Sequence, residues 1–191
     1  MLVPVVPSRD QAKLDTLFAK VMYDDSNNYF NATCAPGNRP APSLTISGDN
    51  ERISINKFIS IAEDETGGQL IVGYFQYSID LYQDECYGFE AVSFYPGDPV
   101  AMQFGLDCYS EAKRLISQHR AIRFYALDST PALDMYFKLV KRQKKHFIGK
   151  LIASDRDKDG EYHDMYIFQI FNEMVDPYFN ERAIYKKRKE N

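Results

Sequence analysis

Leu14, Leu17, Phe18, Val21 and Met22 fall at i, i+3, i+4, i+7 and i+8, which predicts a helix from Ser8 to Tyr23 with one apolar stripe. Ser8 can cap it, and Gln11 three residues on completes a capping box. Residues 24–50 are dominated by Pro, Gly, Asn and Ser and read as a long loop of the kind that often binds ligands. Alternation then sets in. A strand is expected from Ile53 to Asp64, with Ile53, Ile55, Ile59 and Ile61 on one side and Lys57 the exception. Glu65-Thr66-Gly67-Gly68 reads as a hairpin turn. Leu70 to Tyr82, rich in β-branched and aromatic residues, is the partner strand. Gln83-Asp84-Glu85 turns the chain again before a third strand, Cys86 to Tyr95. These three predict an antiparallel meander.

Tyr95-Pro96-Gly97-Asp98-Pro99 breaks that pattern. From about Val100 to His119 the period is helical, with Ala101, Phe104, Cys108, Ala112, Leu115 and Ile116 on one face. Ala121 to Ser129 reads as a strand. Thr130-Pro131 supplies a cap and a proline at the first helical position, so a second helix follows. It carries Leu133, Tyr136, Phe137 and Val140 and ends in the basic run from Lys141 to Lys145, favourable at the negative end of a helix dipole. His146 to Ser154 and Asp164 to Phe171 are the last two strands. With no repeat and no linker, one domain is expected over residues 1–175, followed by a basic tail over 176–191.

Composition narrows the function classes. Hydrophobic residues make up 45% of the 191, enough for a substantial core, and a net charge of −4 gives no electrostatic reason to expect nucleic acid. Fourteen Tyr and thirteen Phe with no Trp hint at contact surfaces for partners. Cys34, Cys86 and Cys108 are odd in number and widely spaced, which fits a reducing compartment better than a disulfide framework. The N-terminal stretch lacks a basic region and is broken by Pro4 and Pro7, so it does not read as a signal peptide, and no apolar run reaches membrane-spanning length. A cytoplasmic protein is the expectation. The run Tyr185-Lys186-Lys187-Arg188-Lys189 is basic enough to meet an acidic surface, though such ends are more often simply solvated.

One stretch looks like a metal site. Asp155, Asp157 and Asp159 alternate before Gly160, as the opening of a calcium-binding EF-hand loop does. That loop needs a bidentate glutamate at its twelfth position and a helix on each side. Here position twelve is Tyr166 and the flanks read as strands. Asp159-Gly160 is also a favoured hairpin pair, so the acids are expected at the charged tip joining the last two strands, with no metal. His119, His146 and His163 are scattered without metal-ligand spacing.

The element order (helix, loop, three antiparallel strands, helix, strand, helix, two strands) resembles the GNAT N-acetyltransferase superfamily over roughly residues 3–172. The resemblance implies an α/β (α+β) fold, a mixed and mostly antiparallel sheet with helices on both faces. It implies acetyl-CoA as cosubstrate, lying where the sheet splays, with its pyrophosphate on backbone amides at the next helix start. The family's loop there reads V-x-P, then Arg or Gln, x, x, Gly, x, Gly or Ala. This chain has Phe94-Tyr95-Pro96, but counting on from Pro96 puts Pro99 at the basic position and Met102 and Phe104 at the small ones. Counting back from Gly105 puts Met102 and Asp107 there instead, and Gln103 is one place off. Pro99 removes an amide donor, and Asp98 and Asp107 bring negative charge to that region.

By the same resemblance, Tyr136 matches the tyrosine that protonates the departing thiolate, and Asp128 or Ser129 stands for the family's asparagine. The Gly-Phe that should follow is replaced by Val140-Lys141. Glu90, on the central strand, is the candidate general base, and Ala91, Val92 and Ser93 would orient the thioester. Gln103, Phe104, Gly105 and Leu106 complete the implied cofactor contacts. The implied reaction is acetyl transfer to the amine of an acceptor gripped by residues 24–50. The alternative is a non-catalytic protein of the same fold that works by assembly with a protein partner or its own copies, such as a bacteriophage virion component.

Overall fold

The computed structural model describes residues 1–22, 52–63, 66–95, 97–129, 133–143, 146–156 and 160–172. The elements in chain order are β1 (Leu2–Pro4), α1 (Pro7–Met22), β2 (Ile53–Glu63), β3 (Gln69–Asp80), β4 (Glu85–Ser93), α2 (Pro99–Gln118), β5 (Ala121–Leu127), α3 (Leu133–Lys141), β6 (His146–Arg156) and β7 (Tyr162–Phe171). The strands form one seven-stranded sheet in the order β1-β2-β3-β4-β5-β7-β6. The meander β2-β3-β4 and the β6-β7 hairpin are present as expected. Their neighbours required three-dimensional information. The short β1, too brief to show a period, adds to the β2 edge with Leu2 opposite Ser60. Strand β7 inserts between β5 and β6, so β5 has an antiparallel neighbour. Among the described residues the only parallel pair in the sheet is β4 with β5.

Each face of the sheet carries its own core. On one face, Leu14 and Phe18 of α1 cover Ile59, Tyr74, Val92 and Phe94. On the other, Phe104, Leu115 and Ile116 of α2 and Val140 of α3 cover Val72, Phe75, Tyr77, Cys86, Ile122, Phe168 and Ile170. Each such aliphatic or aromatic side chain withdrawn from water contributes roughly 1.5–3 kcal/mol. Two-sided burial explains the near-continuous apolar reading of β3. Its parity shifts once: Ser60 pairs with Gly73 and Ile61 with Ile71, so Val72 is an extra residue. Both Val72 and Gly73 thereby face α2.

Helix α2 starts where the breaker predicted. Asp98 is its N-cap in extended conformation and accepts from the Val100 N–H at 3.0 Å, with Pro99 in the first turn. The expected start of α3 at Thr130-Pro131 lies outside the described residues, as do residues 24–50, Asp157 to Asp159 and the tail over 176–191. The strands on either side of that acidic stretch do pair as a hairpin, with Arg156 opposite Tyr162. Among the described residues no group of three or more His, Cys, Asp or Glu is placed to hold a metal. No described helix is long and apolar enough to cross a membrane.

Candidate active site

Among the described residues, strands β4 and β5 are hydrogen-bonded neighbours only at their first residues, Glu85 with Ala121 and Cys86 with Ile122. A buried polar knot holds them there. The Glu85 carboxylate is only 3% exposed and accepts from Arg123 Nη2 at 3.1 Å and from Gln169 Nε2 at 3.0 Å. Beyond this point β4 is deflected. Gly88, at φ +64, and Phe89 stand together opposite Tyr77, a bulge that only a residue tolerant of left-handed backbone makes without strain. From Tyr87 to Ser93, β4 then has no β5 partner among the described residues. Ala91 shows the consequence: it sits on a middle strand of the sheet and is nonetheless exposed. A wedge thus opens toward the C-terminal ends of both strands.

The two faces of β4 offer different chemistry. On the α1 face Glu90 is the cross-strand partner of Gln76, and its Oε2 accepts from Gln76 Nε2 at 2.9 Å. Gln76 Oε1 in turn accepts from the Tyr74 hydroxyl at 2.7 Å. Tyr74 is fully buried, and burial, then the charge of Glu90, push its phenol well above the ordinary range, so it stays protonated. On the α2 face, Ala91 is opposite Phe75 and Ser93 opposite Gly73. The Ser93 Oγ is buried without a hydrogen-bond partner. Such a hydroxyl costs free energy until a ligand or water satisfies it. Val92 belongs to the α1-side core.

The start of α2 differs from an open anion cradle. Pro99 has no N–H, the Val100 N–H is taken by the Asp98 carboxylate, and the Ala101 N–H bonds Asp98 O at 2.9 Å. The region keeps room, since a Cβ on Gly97 or Gly105 would meet nothing within 4 Å. Phe104 instead points into the core and lies against Gly73, where a Cβ would come within 2.6 Å of the ring. Leu106 is exposed, and the Gln103 amide donates to Asp107 Oδ1 at 2.9 Å. Asp107 is not at the helix start: it reaches across to β2, accepting from Ser60 Oγ at 2.6 Å and from the Met1 amine at 2.6 Å. Burial opposes its charge, but these bonds outweigh burial and hold its carboxyl below the usual range.

Tyr136 on α3 packs edge-to-face on Phe124 at 5.4 Å and on Phe168 at 6.2 Å. It thereby stands on the α2 side of the sheet, opposite to Glu90. At the end of β5, Asp128 is committed to β7: its carboxylate accepts from His163 Nδ1 at 2.7 Å and from the Asp164 N–H at 3.3 Å. Ser129, next to it, is exposed. Sequence reading missed Gln76 and Tyr74, and it weighed His163 only as a metal ligand. A glutamine inside an aromatic strand was the one available signal for the first, and its partner depends on strand register.

Solved structures with this architecture carry acetyltransferase names. Spermidine/spermine N-acetyltransferase SpeG from Vibrio cholerae is 15% identical, covering 95% of this chain and 96% of its own, with a TM-score of 0.56. A protein of Chromobacterium violaceum assigned to the GNAT family is 16% identical over 90% of this chain and 87% of its own, with a TM-score of 0.59. An assigned acetyltransferase from T. thermophilus gives 16%, 97% and 92%, with a TM-score of 0.57. No family model matches the chain, and no curated protein matches it. At these identities the likeness establishes the fold: the chain has the GNAT acetyltransferase fold.

Proposed function

We propose that the protein is an N-acetyltransferase that moves an acetyl group from acetyl-CoA to the amine of an acceptor. The observation that carries this reading is the wedge between β4 and β5, with a carboxylate on one face of β4 and an unpartnered hydroxyl on the other. The lining fits the acyl-bearing arm of the cosubstrate. The edge of β4 that β5 leaves beyond Cys86 can meet amide groups of an extended chain, as an added strand would. Acetyl-CoA supplies the activated acetyl thioester when bound. At the diphosphate end fewer amides are on offer, because Asp98 and Pro99 occupy the first turn of α2.

Within this reading Glu90 takes a proton from the acceptor nitrogen onto its carboxylate, from the α1 face. Tyr136 holds, on its hydroxyl, the proton that the leaving group needs. Ala91, Val92 and Ser93 orient the acyl group along β4, while Gln103, Gly105 and Leu106 act through their place in the second turn of α2. Asp128 and Ser129 border the wedge from β5. Neutral acetyl-CoA analogues lacking the diphosphate should lose less affinity here than at a glycine-rich cradle.

Thermal-shift and calorimetric titration with acetyl-CoA tests the binding, and mass spectrometry of an amine panel tests the transfer. Stabilisation of about 2.7 kcal/mol is expected at a ligand concentration a hundredfold above Kd. No shift at millimolar acetyl-CoA overturns the reading and leaves the non-catalytic assembly role.

A further inference from the structure

We propose that Gln76, oriented by the Tyr74 hydroxyl, is the positioning residue that sets the Glu90 carboxylate for proton transfer. This rests on the acetyltransferase reading above and adds two residues to it. The three side chains form a directed chain across two strands: Tyr74 Oη to Gln76 Oε1 at 2.7 Å, then Gln76 Nε2 to Glu90 Oε2 at 2.9 Å.

The direction of that chain follows from chemistry. An ionised carboxylate only accepts, so the amide must present its NH2 to Glu90. The carboxamide oxygen then faces Tyr74, whose phenol donates. Tyr74 cannot swing away, since it is fully buried and its ring packs edge-to-face on Phe18 at 5.4 Å. The register Tyr74 with Val92 and Gln76 with Glu90 holds the strands at that spacing. Reversing the amide would set an oxygen against a carboxylate. The buried phenol therefore acts at a distance as a latch on the amide, and the amide fixes the position of the carboxylate's Oε2. Glu90 can take a proton on its carboxylate while Oε2 still accepts from Gln76, so the tie persists through the transfer.

The test is a double-mutant cycle with a second, non-kinetic readout. Gln76→Leu should lower kcat by about tenfold or more with the KM for acetyl-CoA unchanged, the signature of lost positioning. Tyr74→Phe, which keeps the packed ring, should lower kcat less, and the two changes together should cost no more than Gln76→Leu alone. In a Glu90→Gln background, Gln76→Leu should change kcat less than about twofold, because the group it positions is gone. NMR of the protein without cosubstrate supplies the other arm. The Gln76 carboxamide protons should exchange slowly and should shift in both Tyr74→Phe and Glu90→Ala. An undiminished Gln76→Leu loss in the Glu90→Gln background overturns the proposal, as does an amide signal indifferent to both partners. If Glu90→Gln leaves transfer intact, the base assignment fails and the positioning role with it, while acetyl transfer stands. If the unaltered protein transfers no acetyl group, both fall.

Discussion

Asp98 caps α2 through the Val100 N–H at 3.0 Å and sets a carboxylate at the helix end that favours anions. Asp98→Ser keeps a good cap and removes the charge. The expected outcome is a twofold to fivefold tighter Kd for acetyl-CoA, roughly the 0.3–1 kcal/mol of a charge at a helix terminus, with an unchanged unfolding midpoint. Calorimetry and urea titration read the two quantities separately. Tyr136→Phe removes only an oxygen, and the ring keeps its contacts with Phe124 and Phe168. Its kcat should fall by about a hundredfold, with acetyl-CoA affinity unaltered. A kcat within twofold of the parent would remove Tyr136 from the mechanism. In the linear sequence Tyr136 stood out through its resemblance to the family pattern, and Asp98 only as part of the breaker before the helix; its capping role came from the structure. Gln76 did not stand out, because its role depends on which residue of β4 lies opposite.

At the scale of elements, the seat of α2 depends on a missing side chain. Phe104 lies where a Cβ on Gly73 would stand, at 2.6 Å. Gly73→Ala should destabilise the fold by about 1–3 kcal/mol, as overpacking does. Adding Phe104→Leu should recover part of that loss. Chemical denaturation measures both, and a neutral Gly73→Ala would mean that α2 can shift outward at no cost. Most helices and strands followed from local pattern: α1 from its stripe, α2 from the helical period after the Tyr95–Pro99 breaker, β2 from alternation and β3 from its β-branched and aromatic content. Strand β1 did not, since three residues carry no period. Nor did the bulges at Val72 and Gly88, which are departures from register and exist only between partners.

Across the whole molecule, acidic side chains pair with basic ones, some within one helix and others between separate elements. The guanidinium of Arg9 holds the Asp10 carboxyl below its usual range, that of Arg52 does so for Asp80, His119 for Asp84 and Lys150 for Asp164. Arg114 lowers Glu111 in the same way. A carboxyl depressed in the folded state contributes stability above its unfolded value, about 3.9 for Asp and 4.3 for Glu, and loses it as pH falls through the folded value. The urea midpoint should therefore decline from about pH 4 downward. Circular dichroism melts in urea at pH 5, 4 and 3 check this, and a constant midpoint to pH 3 would contradict it.

The linear sequence by itself determined most of the local elements and their order, β1 excepted, because period and breakers act within a few residues of each other; the cap it assigned to Ser8 lies inside α1, which starts at Pro7. It also resolved the acidic stretch before Gly160 as strand-flanked rather than helix-flanked, and the pairing of β6 with β7 agrees. Tertiary structure alone decided where the strands meet: β7 between β5 and β6, and β4 touching β5 at two residue pairs before parting. The wedge, the opposite placement of Glu90 and Tyr136, and the Tyr74-Gln76-Glu90 chain all follow from that order. Hydrogen bonds between strands far apart in the chain fix it, and no local pattern encodes which strand edges will find each other.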